Sequence, residues 1–261
     1  PPPPRMRPAA LTPAVTARRA LVAEVIIVLS LSFGVSGVRS LLRLVDSLLD
    51  PARLSEQSVT LNSSQSAIAW LDVGLQLCSA GVLFAYGALA LYLLRVGPAP
   101  VRRASVSASG DSLRGVGLAA LIGLPGLALY VTAVHLGLSK VVVPAEFSHP
   151  LVEAPVLLLW SAANAFGEET VVVAWLMTRL KQLGWKLPAV LAATSILRGS
   201  YHLYQGISAG FGNLVMGVVF GYYYHRTGKV APLVIAHFLI DAVAFIGYSL
   251  LGDPLLFGLL G

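Results

Sequence analysis

Residues 157–177 read LLLWSAANAFGEETVVVAWLM, and this stretch decides the fold class. It is long enough to cross the hydrocarbon core of a bilayer, for which a helix needs about 20 apolar residues. Its only charged residues are Glu168 and Glu169. A charged side chain at the centre of a bilayer costs about 3 kcal/mol even on the most lenient insertion scale, so these acids need partners, water or protons. We therefore predict a transmembrane helix that carries functional glutamates near its centre.

The composition extends this interpretation to the whole chain. Of its 261 residues, 56% are hydrophobic and only 11% are charged, whereas soluble domains carry about 25% charged residues. The mean hydropathy is +0.79. The sequence therefore predicts an all-α, polytopic transmembrane helical bundle with the lipid bilayer around it.

The net charge of +6 does not indicate a nucleic-acid partner. The basic residues lie in short segments between apolar spans, not in one patch or stripe, so their expected task is to fix the topology. The lone Cys78 cannot form an intramolecular disulfide, and we interpret it as a packing residue. The pattern carries no prediction of the oligomeric state.

The chain is predicted to contain about seven spans between two tails. A disordered Pro/Arg-rich tail covers residues 1–17, N-terminal helices and linkers cover 18–150, the helices with the polar residues cover 151–251, and a C-terminal tail covers 252–261. The segments predicted to span the membrane are residues 20–38, 67–94, 115–138, 155–179, 188–205, 210–224 and 232–251.

The distribution of positive charge predicts a cytoplasmic N-terminus. With that orientation, thirteen of the 18 lysines and arginines fall on cytoplasmic segments, among them Arg179 at the end of the fourth span. We expect an integral protein of the plasma membrane of a prokaryote. No internal repeat is evident, which disfavours transporters built from duplicated halves.

Two later spans carry polar residues that could join the glutamate pair. Arg198 and His202 are four residues apart, as are His237 and Asp241, so each pair shares one helix face. Asn164 lies one turn before Glu168 and shares its face. If these faces converge, the bundle encloses two histidines, three acids and one guanidinium.

Such a cluster could activate water for hydrolysis. A carboxylate such as Glu168 acts as a general base, and a histidine holds the same water or passes protons. This interpretation needs no cofactor. Alternatively, Glu168, His202 and His237 form a catalytic zinc site, because two histidines and a glutamate leave one position for water. The helical His-Glu-x-x-His zinc motif is absent, and the residues leave both alternatives open.

Two other interpretations use the same residues. The acids and Arg198 could form a purely structural ion network, or they could belong to an ion-coupled transporter. The nearby Tyr201 and Tyr204 could contact a substrate, but we assign them to packing or to anchoring at the membrane interface.

The three motifs in this order resemble the CPBP family, the CAAX-processing and bacteriocin-processing (Abi) intramembrane proteases. The resemblance consists of the Glu-Glu pair, then His202, then His237-x-x-x-Asp241, and it covers residues 152–248. It implies an intramembrane endopeptidase related to type II CAAX prenyl endopeptidases. The substrate class that it implies is a membrane-embedded or lipidated peptide.

The resemblance also implies a role for each residue. Glu168 becomes the base and His202 its water-holding partner, while Glu169 becomes a supporting acid. His237, in one motif with Asp241, becomes an oxyanion or proton donor. The family has been described both as metalloendopeptidases and as metal-independent glutamate proteases, so the resemblance leaves the metal open.

The chain departs from the family motifs at three positions. The first motif usually reads Glu-Glu-x-x-x-Arg, but Val173 stands at the arginine position; Arg198 replaces the usual phenylalanine of the second motif, and Asp241 the usual asparagine of the third. We infer that Arg198 supplies the missing guanidinium and pairs with Glu169. The alternative is an inactive relative that acts as a membrane scaffold or binds a peptide.

Overall fold

The fold is an all-α helical bundle, as predicted. The computed structural model describes residues 13–97, 108–143 and 150–247. Short connections join most of the helices, and π-helical segments follow α5 (Glu169–Trp175) and α9 (Val243–Gly247). The α-helices are α1 Pro13–Leu31, α2 Phe33–Leu49, α3 Ala69–Val96, α4 Ala108–His135, α5 Pro150–Glu168, α6 Leu176–Gln182, α7 Leu187–His202, α8 Ile207–Thr227 and α9 Ala231–Ala242.

Fewer helices are long and apolar enough to cross a membrane than the seven spans predicted. By length and composition, three helices of the described segments can cross a membrane, namely Ala69–Val96, Ser109–His135 and Leu151–Gln182. The pair formed by α1 and α2 makes a fourth if it counts as one broken span. Helices occur at all seven predicted spans, but α7 and α9 are shorter than a full crossing. The seven-span topology with a cytoplasmic N-terminus therefore remains a prediction.

Several boundaries differ from the sequence prediction. Helix α1 begins at Pro13, so residues 13–17 of the predicted tail are helical. The first predicted span is broken at Ser32, where α1 and α2 meet at a bend of 48°. Helix α5 begins at Pro150, which places Pro155 inside the helix instead of in its first turn. The end of the seventh predicted span and the C-terminal tail lie outside the described residues.

The helix with the glutamate pair is the core of the bundle. In the most apolar window of Leu151–Gln182, 61% of the residues are buried, against 22% for Ala69–Val96 and 6% for Ser109–His135. Its π-helical segment is buried throughout and packs in the same cluster as Phe220 of α8 and Leu233 of α9. A helix that is apolar on all sides fits such a central position, because it has no polar face to expose.

Glycines allow close helix contacts beside this core. A Cβ on Gly199 of α7 would lie 2.7 Å from the carbonyl oxygen of Gly210 in α8, and one on Gly87 of α3 would collide with Phe166 at 2.5 Å. Small residues let transmembrane helices approach until their backbones touch. The backbones of α7 and α8 therefore meet next to the end of α7, where His202 lies.

Two short strands connect the loops at one end of the bundle. Strand β1 (Ser58–Thr60) pairs in parallel with β2 (Val141–Val143), and an isolated bridge joins Ser139 to Gly206. No strand was predicted in these segments. Gly206 has a φ of +121°, and this turn ends the segment that follows His202.

Candidate active site

The glutamate pair lies where the central helix changes from α to π geometry. Helix α5 ends at Glu168, and the π-helical segment begins at Glu169. A π segment adds a residue to the turn, changes the helix register and occurs frequently at functional sites. Glu169 is completely buried and Glu168 is 7% exposed, so the two carboxylates have different surroundings.

Glu169 is the centre of a buried ion cluster. Arg198 Nη2 donates a hydrogen bond of 2.5 Å to Glu169 Oε1, and His237 Nδ1 lies 2.8 Å from the same oxygen. The predicted contact between Arg198 and Glu169 is therefore confirmed. Arg198 is fully buried, and its guanidinium lies 5.6 Å from the centre of the Phe220 ring. The arginine thus approaches Glu169 from α7 at the chain position where the family has phenylalanine.

Glu168 has a tyrosine partner that the sequence analysis did not assign to the site. Tyr201 donates its hydroxyl hydrogen to Glu168 Oε2 over 2.6 Å, and Arg198 Nη1 lies 4.0 Å from the same oxygen. Tyr201 was assigned to packing or to interface anchoring, and this hydrogen bond was not predicted. A signal was available, because Tyr201 lies three residues after Arg198 and shares its helix face.

His202 lies at the end of α7 and does not bond directly to Glu168. Its Nδ1 is 3.0 Å from the carbonyl oxygen of Arg198, so this nitrogen is the donor and Nε2 carries the lone pair. The ring is within electrostatic range of both Glu168 and His237. His202 is half-buried and can therefore contact water or a ligand next to Glu168.

His237 and Asp241 form the other side of the cluster, as their spacing predicted. His237 Nε2 is 3.5 Å from Asp241 Oδ1, and Asn164 Nδ2 donates to Asp241 Oδ2 over 3.1 Å. Glu169 holds the opposite ring nitrogen of His237. The imidazole is thus oriented between two carboxylates, a setting that favours N–H donation.

The candidate zinc ligands do not fit a metal in this arrangement. Among the described residues, no group of three or more His, Cys, Asp or Glu side chains could hold a metal ion. The donor atoms have other partners, because Glu168 Oε2 accepts from Tyr201 and His237 lies between Glu169 and Asp241. We therefore describe the chemistry of the cluster from its side chains.

Other polar residues of the spans have structural contacts. Arg179, which the charge count places on a cytoplasmic segment, is fully buried, and it donates over 2.7 Å to Glu24 of α1. Gln76 of α3 is also buried and accepts a hydrogen bond of 2.6 Å from Trp160. Asp72 binds backbone amides of the preceding loop. These residues fix helix ends and neighbours, and none of them joins the glutamate cluster.

The comparisons with known proteins point to one family. Residues 150–243 match a protein-family model described as type II CAAX prenyl endopeptidase Rce1-like. This range contains the glutamate pair, His202, His237 and Asp241. No curated protein and no solved structure matches the chain significantly.

Proposed function

From the premise that residues 150–243 belong to the CPBP/CAAX protease family, as an Rce1-like type II CAAX prenyl endopeptidase domain, we propose that the protein is an intramembrane endopeptidase. Its substrate is a membrane-embedded or lipidated, CAAX-like peptide. The observation that carries this proposal is the unequal pair of glutamates. The Glu169 carboxylate is completely buried and its Oε1 contacts both Arg198 and His237. The Glu168 carboxylate is slightly exposed, and among the described residues its only hydrogen bond is the one that Oε2 accepts from Tyr201.

Glu168 is the proposed general base. Its Oε2 accepts from Tyr201, whereas its Oε1 makes no hydrogen bond within the described part of the chain. Oε1 therefore takes a proton from water while the water oxygen attacks the carbonyl carbon of the scissile bond. The proton passes from Glu168 to the leaving nitrogen when the C–N bond breaks. His202 Nε2 holds the same water through its lone pair.

Two donors are proposed for the oxyanion of the tetrahedral intermediate. As an imidazolium, His237 would donate from Nδ1 to Glu169, and its Nε2–H, which lies 3.5 Å from Asp241 Oδ1, would be the donor to the oxyanion. Arg198 Nη1 has no hydrogen-bond partner among the described residues and lies 4.0 Å from Glu168. This second donor therefore adjoins the base, and His237 joins it through their shared partner Glu169.

Glu169 is proposed as the supporting acid that makes these charges tolerable. Arg198 is completely buried, and a lone buried guanidinium is strongly destabilising. The shared oxygen Oε1 of Glu169 orients Arg198 and His237 at once. No cofactor is needed in this mechanism.

One observation favours a second candidate, an inactive relative that binds a peptide or scaffolds partners. His202 and Glu168 make no direct contact, and both nitrogens of His237 face carboxylates. If binding of substrate does not bring His202 and Glu168 onto one water, the cluster is purely structural. The two functions differ in whether the purified protein cleaves peptides.

The test is cleavage of a library of lipidated and unlipidated peptides by the purified full chain in detergent. We expect cleavage that Glu168→Gln and His202→Ala each reduce by about a thousandfold or more. Asp46→Asn and His135→Gln are the matched controls, because both side chains are exposed and distant in sequence from the motifs. Cleavage that survives a chelator supports the metal-independent mechanism. A folded protein without any cleavage across the library supports the scaffold instead.

A further inference from the structure

The tyrosine beside His202 makes the shortest contact to the proposed base. We propose that Tyr201 is a positioning residue for Glu168, which it holds so that Oε1 faces the water. This inference rests on the proposed function and adds a residue to it that neither the motifs nor the family match assigns. The proposed role of Tyr201 requires its hydroxyl group, and the aromatic ring alone would not fulfil it.

The bond from Tyr201 to Glu168 has the geometry of a strong, charge-assisted hydrogen bond. Its length of 2.6 Å falls in the range of about 2.5–2.7 Å found for hydroxyl donors on carboxylates. The tyrosine side chain is buried, with 7% of its surface exposed, so water does not compete effectively for the hydroxyl. Such a bond fixes one oxygen of the carboxylate and thereby the direction of the other.

Within the described segments, Glu168 accepts no other side-chain hydrogen bond. The closest alternative donor is Arg198 Nη1, and its distance of 4.0 Å from Oε2 is too long for a hydrogen bond. Arg198 also bonds Glu169 through Nη2. Without the tyrosine hydroxyl, the Glu168 carboxylate could rotate about its last side-chain bond, and Oε1 would no longer point in a fixed direction.

Helix α2 holds the tyrosine ring in place. The ring centre of Phe33 lies 5.0 Å from that of Tyr201, and the His202 ring lies 4.7 Å away on α7. Phe33 is the first residue of α2, directly after the 48° bend at Ser32. Next to it, Gly37 makes room for Ser200, because a Cβ at that glycine would collide with the Ser200 hydroxyl.

A backbone contact extends this support along the end of α7. The amide of Tyr204 donates to Ser40 of α2 over 2.7 Å. Helix α2 thus lines the segment from Tyr201 to Tyr204, although α2 lies outside the family match of residues 150–243. The orientation of the base therefore depends on a part of the chain that the motifs do not reach.

The first experiment replaces only the hydroxyl. In peptide cleavage by the full chain, Tyr201→Phe is expected to lower kcat by about ten- to a hundredfold, the effect of one hydrogen bond to a charged group, while KM stays within about twofold. Tyr204→Phe is the matched control, since the Tyr204 hydroxyl accepts a hydrogen bond from Gln205 and donates none to Glu168. It should leave kcat unchanged. A kcat of Tyr201→Phe within twofold of the wild type would overturn the inference.

A second variant keeps the inference testable if Tyr201→Phe fails to fold. Phe33→Leu leaves the hydroxyl in place but removes the ring that supports it, so it should lower kcat by about three- to tenfold at unchanged KM. If kcat of Phe33→Leu is unchanged, the inference is overturned, whether or not Tyr201→Phe folds. Where Tyr201→Phe folds, Phe33→Leu in that background should have no further effect on kcat. Additive effects in the double variant would show that the ring contact does not act through the hydroxyl.

These outcomes are separate from those of the proposed function. If Glu168→Gln abolishes cleavage and Tyr201→Phe does not affect it, the protease stands and Tyr201 has no positioning role. If Glu168→Gln cleaves as fast as the wild type, the proposed function is wrong, and the inference falls with it. Loss of kcat in both variants with intact KM in Tyr201→Phe supports both.

Discussion

The two glutamates of the pair have different contacts. Glu168 and Glu169 are adjacent, but successive positions of a helix point about 100° apart. Glu169 consequently faces Arg198 and His237, whereas Glu168 faces Tyr201. The family resemblance implied that Glu168 is the base and Glu169 a supporting acid. The contacts are those that this division requires, and the roles themselves stay a proposal.

The exchange of the motif arginine for Val173, with Arg198 in its place, can be tested by substitution. Arg198→Phe leaves Glu169 buried without its guanidinium, which should destabilise the protein by about 3–5 kcal/mol and abolish cleavage. Val173 is buried and lies four residues after Glu169 in the π-helical segment. Adding Val173→Arg to Arg198→Phe should restore part of the stability and activity, as measured by thermal unfolding and peptide cleavage.

The control for this exchange is Val173→Arg alone. It places a second guanidinium in the core without a second acid, so it should be less stable than the double variant. If the double variant is no better than Arg198→Phe, Arg198 is not a substitute for the family arginine.

At the scale of elements, the site depends on how closely α7 approaches its neighbours. Helix α7 supplies Arg198, Tyr201 and His202, and it packs on α2 on one side and α8 on the other. Hydrophobic periodicity predicts that these helices exist, but it does not predict which faces touch. Backbone contact at glycines decides that, because a single Cβ prevents it.

Gly199 provides a test of this packing. Gly199→Ala places a Cβ 2.7 Å from the carbonyl oxygen of Gly210, and overpacking of this kind costs about 1–3 kcal/mol. The unfolding temperature should fall by roughly 3–10 °C. Gly81→Ala in α3 is the matched control, since its Cβ would meet nothing within 4 Å. It should keep or raise the unfolding temperature, because alanine favours a helix over glycine. Equal effects of the two variants would contradict the packing argument.

At the scale of the whole molecule, segments far apart in the chain combine around the family domain. Helix α1 reaches the central helix through Glu24, which accepts from both Trp175 and Arg179. Helix α2 contributes Phe33 beside Tyr201. Residues 150–243 therefore pack within a larger bundle, and the N-terminal helices contact residues of the proposed site.

The predicted orientation in the membrane can be tested on the whole protein. In a Cys78→Ser background, Ser63→Cys lies in the loop before α3, and Lys186→Cys lies in the loop before α7; both positions are exposed. With a cytoplasmic N-terminus, a membrane-impermeant maleimide should label Ser63→Cys in intact cells and Lys186→Cys only after lysis. Labelling of Lys186→Cys in intact cells would reverse the topology.

The sequence by itself determined the all-α membrane fold, the three motifs and the pairing of Arg198 with Glu169. The length of an apolar stretch and the presence of charged residues within it can be read directly from the sequence, so both can be recognised without coordinates. Only the tertiary structure decided the bond from Tyr201 to Glu168, the break at Ser32 and the burial of Arg179. These features depend on which helix faces meet, and that is fixed by backbone approach between segments distant in the chain.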